Sequence, residues 1–305
     1  MKKLRKFPVN KMKKKLQHYL EYLLILILEK ISLQMQVRSR IKLASYLASF
    51  FYNFLPIRKD VIHNNLRKSF PGKDEEWIER YTRKTYFHFL KAYLDIFPVH
   101  KDPWNKFKKY VKIKDRDKID NLISQGRGGV IVLFHFGNWE VPGSYFSRHN
   151  YHAAALYKKQ SNPYVDSKML EARSWNGGTL YRMKDSPLKM MRIVKTNGLL
   201  FMISDQDARS SGIFVDFLNR PSSSFRGPAL FAIKFNAPLI AMTCIWKDGK
   251  YVISSKIFET RHRKPDKKGI TRLLQEYTNY FEGKIRQYPE QYYWLHRRWK
   301  TSPDQ

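Results

Sequence analysis

The chain is 305 residues long, enough for one large domain or two small ones, and its 43% hydrophobic and 15% aromatic content is ample for a buried core. Its single cysteine, Cys244, excludes an intramolecular disulfide framework, and no Cys/His spacing suits a zinc site, so no metal is expected. Fifty-eight Lys and Arg against 26 Asp and Glu give a net charge of +32, a field that draws the protein toward nucleic acid, an anionic bilayer or an acidic partner.

The first fifteen residues hold eight basic side chains, Lys2, Lys3, Arg5, Lys6, Lys11, Lys13, Lys14 and Lys15, and no acid. The apolar stretch behind them is uncharged only from Tyr22 to Leu28, whereas a spanning helix needs about 20 apolar residues. No small-residue cleavage site of a signal peptide comes after it. A second uncharged run extends from Leu43 to Ile57; Ser45, Ser49 and Asn53 fall on one helical stripe within it, and Pro56 ends it. Either both helices simply pack on the core, or the basic arm meets anionic headgroups while apolar side chains enter the acyl boundary. We favour the second, a peripheral or shallow attachment to the cytoplasmic leaflet. Residues 1–57 are then a basic arm with membrane-associated apolar helices, and residues 58–305 a separate α/β domain facing the cytoplasm.

From Asp74 to Phe97 apolar and small residues recur at three- and four-residue steps (Trp77, Ile78, Tyr81, Thr85, His88, Ala92), which predicts a helix that Pro98 stops. The period then changes. Gly128-Gly129 leads into Val130 to Phe134, an all-apolar run rich in β-branched residues, as a strand buried on both faces reads. Similar runs at Ala153–Leu156, Leu199–Ser204 and Pro238–Thr243 alternate with helical stretches at Ser186–Thr196 and Gly227–Phe235, and a long helix is expected over Ile270–Gln287. This alternation predicts an α/β fold with a mostly parallel central sheet flanked by helices.

In such sheets, sites form beyond the carboxyl ends of the strands. The first buried strand runs directly into His135-Phe136-Gly137-Asn138-Trp139-Glu140. His135 stands at the strand tip, Gly137 permits a tight turn, Asn138 suits a helix N-cap, and Glu140 falls in the first turn of the helix. A carboxylate folded back onto the imidazole makes a general base suited to a hydroxyl. The plainer alternative, that Glu140 only complements the helix dipole and His135 only ends a strand, stays open. No G-x-S-x-G, P-loop or H-E-x-x-H motif competes. A His–acid pair without a nucleophile suggests direct transfer to an acceptor hydroxyl.

The H-F-G-N-W-E block resembles that of the late acyltransferases of lipid A biosynthesis, within the lysophospholipid acyltransferase superfamily. Further blocks occur in the family's order: Arg58, Asn65-Leu66 and Phe70-Pro71; Asn162-Pro163, Asp166 and Arg173 after Tyr157-Lys158-Lys159; Asp205-Gln206-Asp207; Val215-Asp216-Phe217 through Pro221 and Ser224 to Gly227-Pro228-Ala229; and Pro289-Glu290-Gln291, Trp294 and His296-Arg297-Arg298-Trp299-Lys300. Asn219 and Ser224 depart from the pattern, standing where glycine and threonine are usual.

The resemblance implies a glycerolphosphate-acyltransferase-like fold and an enzyme that moves a fatty acyl chain from acyl carrier protein to a hydroxyl of a Kdo-bearing lipid A precursor, with no cofactor. His135 is then the catalytic base and Glu140 its orienting partner, while Asn138, Lys158, Arg173 and Asp207 contact substrate. Arg173 would clamp a phosphate or the developing oxyanion; its alternative is an ion pair with Asp205 or Asp207, residues that read as architectural rather than catalytic. One basic surface would serve an anionic lipid, a membrane surface and an acidic carrier protein. The alternatives are another anionic acceptor, such as a phosphatidylinositol mannoside or a lysophospholipid, and, more distantly, a non-enzymatic nucleic-acid binding protein. Against the last, the chain has no recognisable nucleic-acid fold motif, and its longest basic cluster adjoins an apolar helix.

Overall fold

In a computed structural model of the protein, residues 9–174 and 176–303 are described. Lys2, Lys3, Arg5 and Lys6 of the expected basic arm, and the side chain of Lys11, lie outside what is described. Four helices come first: α1 (Val9–Gln34), α2 (Val37–Phe54), α3 (Lys59–Ser69) and α4 (Glu75–Lys101). A short helix α5 (Trp104–Phe107), strand β1 (Val111–Ile113) and helix α6 (Arg116–Ser124) lead into the alternating core. It runs β2 (Gly129–Leu133), α7 (Glu140–Arg148), β3 (Ala153–Tyr157), α8 (Pro163–Ser174), β4 (Thr179–Arg182), α9 (Pro187–Lys195) and β5 (Leu199–Ile203). A separate hairpin of β6 (Ile213–Phe217) and β7 (Arg220–Ser224) precedes α10 (Gly227–Lys234), β8 (Leu239–Lys247), β9 (Lys250–Phe258) and α11 (Lys267–Gln287).

The seven-stranded sheet has the order β1-β9-β8-β2-β5-β3-β4, and every pairing is parallel except β8 with β9. The mostly parallel sheet flanked by helices is thus as the alternation predicts. Side chains leave β2 alternately to its two faces. Val130, Val132 and Phe134 enter one core with Leu273, Tyr277 and Phe281 of α11. Ile131 and Leu133 enter the other with Val141, Tyr145 and Phe146 of α7. Burial on both sides is why β2 shows no polar alternation.

Pro98 does not stop α4, which continues to Lys101. Its position in the last turn forfeits one backbone bond, and the burial of Val99 and His100 beyond it holds the final residues helical. The run at Pro238–Thr243 extends to Lys247, because β9 returns antiparallel along it from a tight turn at Asp248-Gly249. At the turn of the β6–β7 hairpin, Leu218 and Asn219 have φ of 52° and 64°, a left-handed conformation that asparagine tolerates without being glycine.

Among the described residues no helix is long and apolar enough to cross a membrane. Helix α1 instead carries an exposed apolar ridge of Leu16, Leu20, Leu23, Leu24, Ile27 and Ile31 at helical spacing. Its other side meets α4 and α8. A buried ionic cluster fastens this region. Arg40 of α2 donates to Asp95 of α4 at 2.6 Å and to the Met35 carbonyl at the end of α1, also at 2.6 Å. Lys91 donates to the second oxygen of Asp95 at 2.8 Å, and the Tyr251 hydroxyl joins both. Removing one member of such a cluster strands its partner, at a cost of about 3–5 kcal/mol.

Gly137 comes after β2 with φ 65°, and a side chain there would overlap the Cys244 carbonyl of β8. Gly137→Ala therefore combines left-handed strain with a clash against backbone, and should cost about 2–4 kcal/mol in a urea titration of the detergent-solubilised chain. A loss below about 0.5 kcal/mol would mean that the turn relaxes freely.

Candidate active site

β2 and β5 are hydrogen-bonded neighbours whose register pairs Leu133 with Ile203. Two residues beyond that pair, on equal footing, stand His135 and Asp205. The Asp205 carboxylate takes hold of His135 twice: Oδ2 accepts the His135 backbone N–H at 2.9 Å, and Oδ1 lies 2.6 Å from Nδ1. An ionised carboxylate only accepts, so Nδ1 carries the proton and Nε2 is the basic nitrogen. Asp205 is buried, at 3% side-chain exposure, whereas the His135 ring reaches the surface at 19%. Burial alone would raise the Asp205 carboxyl; the charge and two hydrogen bonds of His135, with Arg298 behind, outweigh it and hold the group below the usual range. Trp139 meets the ring edge-on at 4.8 Å between centroids, and Tyr293 lies at 5.8 Å, giving the imidazole aromatic walls.

The turn that presents His135 is fixed by the neighbouring strand and the C-terminal segment. Asn138 N–H donates to the Cys244 carbonyl at 2.8 Å, Gly137 N–H to the Gln291 carbonyl at 2.9 Å, and Tyr293 N–H to the His135 carbonyl at 3.0 Å. Asn138 performs the expected capping from one residue further out: Trp139 occupies the N-cap, and Asn138 Oδ1 accepts the Glu140 N–H at 3.1 Å. Its side chain is buried, with the amide turned to Tyr251.

Glu140 is held elsewhere. Arg173 of α8 grips it bidentately, Nη2 to Oε1 at 2.6 Å and Nε to Oε2 at 3.1 Å, and His100 of α4 lies 3.0 Å from Oε2. No hydrogen bond joins Glu140 to His135 among the described residues, so the carboxylate on the imidazole is Asp205, and the ion pair of Arg173 is with Glu140 rather than Asp205 or Asp207. The reason is topological. Asp205 leaves the strand beside β2, whereas Glu140 opens a helix whose first turn faces α4 and α8. Burial acts to raise the Glu140 carboxyl, but the Arg173 guanidinium and then His100 override it and hold it well below the carboxylate range. Lys158 is exposed just beyond β3. Asp207 accepts from Thr301 at 2.8 Å, tying the segment after β5 to the C-terminal segment.

Sequence reasoning singled out His135, Glu140 and Arg173 but passed over His100 and the pairing of Asp205 with His135. The second had a signal: two apolar runs, Val130–Phe134 and Leu199–Ser204, each lead directly into a titratable side chain, His135 and Asp205. The first had none, since only the packing of α4 on α7 brings His100 to Glu140.

Because the Glu140 carboxyl lies below its ordinary 4.5, the pair stabilises the fold above that pH and loses its contribution as the pH falls through the folded value. Glu140→Gln should cost about 3–5 kcal/mol near neutrality, by stranding the Arg173 charge. Thermal melts should show the gap between variant and wild type narrowing from about pH 5 to pH 3, and a gap independent of pH would contradict the pairing.

A family profile described as bacterial lipid A biosynthesis acyltransferase matches residues 9–301. The lipid A biosynthesis lauroyltransferase of Escherichia coli (strain K12) is 23% identical over 281 residues, covering 86% of each chain. A lipid A biosynthesis palmitoleoyltransferase from the same strain is 22% identical over 271 residues, covering 82% of this chain and 81% of its own. A phosphatidylinositol mannoside acyltransferase of Mycobacterium tuberculosis (strain ATCC 25618 / H37Rv) is 26% identical over 144 residues, covering 44% of this chain and 43% of its own. With a match that spans nearly the whole chain and the ordered motif blocks within it, the protein is an acyltransferase and belongs to the bacterial lipid A biosynthesis acyltransferase family.

Proposed function

We propose that the protein transfers a fatty acyl chain from acyl carrier protein to a hydroxyl of a Kdo-bearing lipid A precursor at the cytoplasmic face of the inner membrane. The observation that carries this reading is the His135 imidazole, with its Nδ1 engaged by a carboxylate and no hydrogen bond to Nε2 among the described residues. Nε2 takes the proton of the acceptor hydroxyl as its oxygen attacks the thioester carbonyl. The C–O bond forms, the C–S bond breaks, and the imidazolium returns the proton to the departing thiolate. Direct transfer suits the chain's thiol chemistry: Cys244 is buried and burial pushes its thiol strongly up, so it offers no thiolate nucleophile.

Glu140 holds Arg173 by two of its donors. The remaining N–H groups of that guanidinium are free to meet a phosphate of the acceptor or the oxyanion of the tetrahedral intermediate. Lys158 and Asp207 remain proposed substrate contacts, Lys158 at the exposed end of β3 and Asp207 near the C-terminal segment. The buried Asn138 supports the reading as a turn residue rather than as a contact. The apolar ridge of α1, behind the exposed Lys13, Lys14 and Lys15, supports attachment in the plane of an anionic leaflet.

Incubation of the purified chain with Kdo-lipid IV-A and acyl-carrier-protein thioesters of graded length, read by mass spectrometry, should show one added acyl mass. His135→Ala should lower the rate by about 10²–10⁴-fold at unchanged folding. No product from folded protein with any chain length, but product with a phosphatidylinositol mannoside, would move the acceptor while leaving the base in place. Attachment is tested by sedimentation with phosphatidylglycerol-containing vesicles. Leu20→Ser combined with Leu24→Ser should weaken binding at least about tenfold, since each buried leucine is worth roughly 1.5–3 kcal/mol. Unchanged sedimentation would remove α1 from the contact surface.

A further inference from the structure

The face of α1 turned away from its apolar ridge lies along α4 and α8. Asn162, just before α8, donates to the His18 carbonyl at 2.7 Å and to Glu21 at 2.8 Å. Tyr164 meets Tyr22 at 5.6 Å between ring centroids, and Lys168 reaches Glu29 at 2.8 Å. These contacts advance in the same sense along both helices, so α8 runs beside α1, at the spacing of packed helices, about 8–10 Å. Glu29 also accepts from Lys101 of α4 at 2.6 Å, and Glu171 of α8 accepts from the same two lysines, at 2.6 and 3.1 Å, which closes a ring of four charges joining the three helices. The side chains of Glu29, Lys101 and Lys168 are 13%, 11% and 14% exposed, so water and salt screen the ring far less than an ordinary surface pair. It adjoins the site on two helices: Lys101 follows His100 in α4, and Glu171 stands two residues before Arg173 in α8.

We propose that Glu29 is a positioning residue that sets the level of Arg173 relative to the bilayer, a role whose substrate rests on the acyl-transfer reading. The ridge of α1 settles in the leaflet, the ring of charges fixes α8 at its side, and Arg173, in the last turn of α8, meets a phosphate of a lipid that stays embedded. The depths match. An interfacial helix sinks about 5–10 Å into the boundary between headgroups and acyl chains, and the headgroup layer beyond that boundary is about 5–8 Å deep. A helix packed against α1 therefore carries a long guanidinium side chain into that layer. Glu29 touches neither substrate nor the reacting atoms; it acts through Lys168 and Lys101 on the two helices that hold Glu140.

The direct test is depth. In the full chain bound to phosphatidylglycerol-containing vesicles, a nitroxide on the Ser174→Cys variant, at the exposed end of α8, should show the collision rates with oxygen and a nickel chelate that mark the headgroup layer. A label in bulk water overturns the proposal without any change to the ring of charges. Adding Glu29→Gln opens the ring and should raise collision with the nickel chelate while sedimentation with the vesicles is unchanged, because the ridge is intact. In turnover, Glu29→Gln should raise the KM for Kdo-lipid IV-A in vesicles at least about tenfold, with kcat and the KM for the acyl thioester within about threefold, and Glu29→Asp should recover most of the loss. A brace that only holds the fold together would lower the thermal midpoint and the active fraction, and with it kcat, at an unchanged acceptor KM; that outcome, or a wild-type acceptor KM, overturns the proposal. If no acyl thioester and acceptor give product, the acyl-transfer reading fails, and the depth of the label still decides whether α1 sets the level of α8.

Discussion

Because Leu133 lies opposite Ile203 in a parallel pair, the chains of β2 and β5 leave the sheet level with each other, and His135 and Asp205 emerge side by side. A slip of one residue would turn Val130 and Val132 out of one core and Ile131 and Leu133 out of the other, so burial of both faces enforces the register that builds the site. Flanking β2 on its other side, β8 supplies the Cys244 carbonyl that receives Asn138 N–H, and the turn is gripped between its neighbours on both sides.

Around this pair the family motifs knit distant parts of the chain rather than gathering at one point. Asn65 of α3 donates to the carbonyls of Trp294 and His296 at 2.9 Å each, and Arg58 to that of Leu295 at 3.0 Å, so the N-terminal motif holds the C-terminal one. Arg298 in turn clasps Ser223 and Ser224, a role for which serine provides the same hydroxyl as threonine. Asn162 opens α8 by accepting from Tyr164 N–H while its amide donates to the His18 carbonyl and Glu21 of α1. Lys101 of α4 and Lys168 of α8 converge on Glu29 of α1 at 2.6 and 2.8 Å. The helices that carry His100 and Arg173 are therefore braced against α1, and the buried charges at each junction are paired, as the desolvation cost of an unpaired one requires.

Most of the layer architecture was legible in the sequence because burial on both faces writes itself as uninterrupted β-branched runs: Val130 to Phe134 needs no neighbour to be read as a strand. Of the strands that escaped notice, β9 is long, but Ser254, Ser255 and Lys256 interrupt its apolar residues, and others are exposed or polar. Thr179–Arg182 has no buried residue, and Arg220–Ser224 is three serines beside a proline. At the site, His135 and Glu140 were visible as a local spacing, but local spacing assigned them to each other. The order of the strands, which no single stretch of sequence contains, hands His135 to a residue seventy positions away. His100 was invisible for the same reason, as was the continuation of α4 past Pro98, which depends on how deeply Val99 and His100 are packed.

Cys244 sits in β8 directly beneath the turn after His135, and its carbonyl holds that turn while its thiol is sealed in the core. An enzyme that handles activated acyl groups is exposed to a side reaction, since any thiolate near the donor would capture the acyl chain by exchange. With its one thiol buried and kept protonated, this chain presents no such trap, and it has no surface sulfhydryl for peroxides to consume. The same property makes the molecule a silent background for labelling: a cysteine introduced on the α1 ridge or beside the turn after β2 would be the one reactive thiol of the native fold, and its probe would report from that position alone.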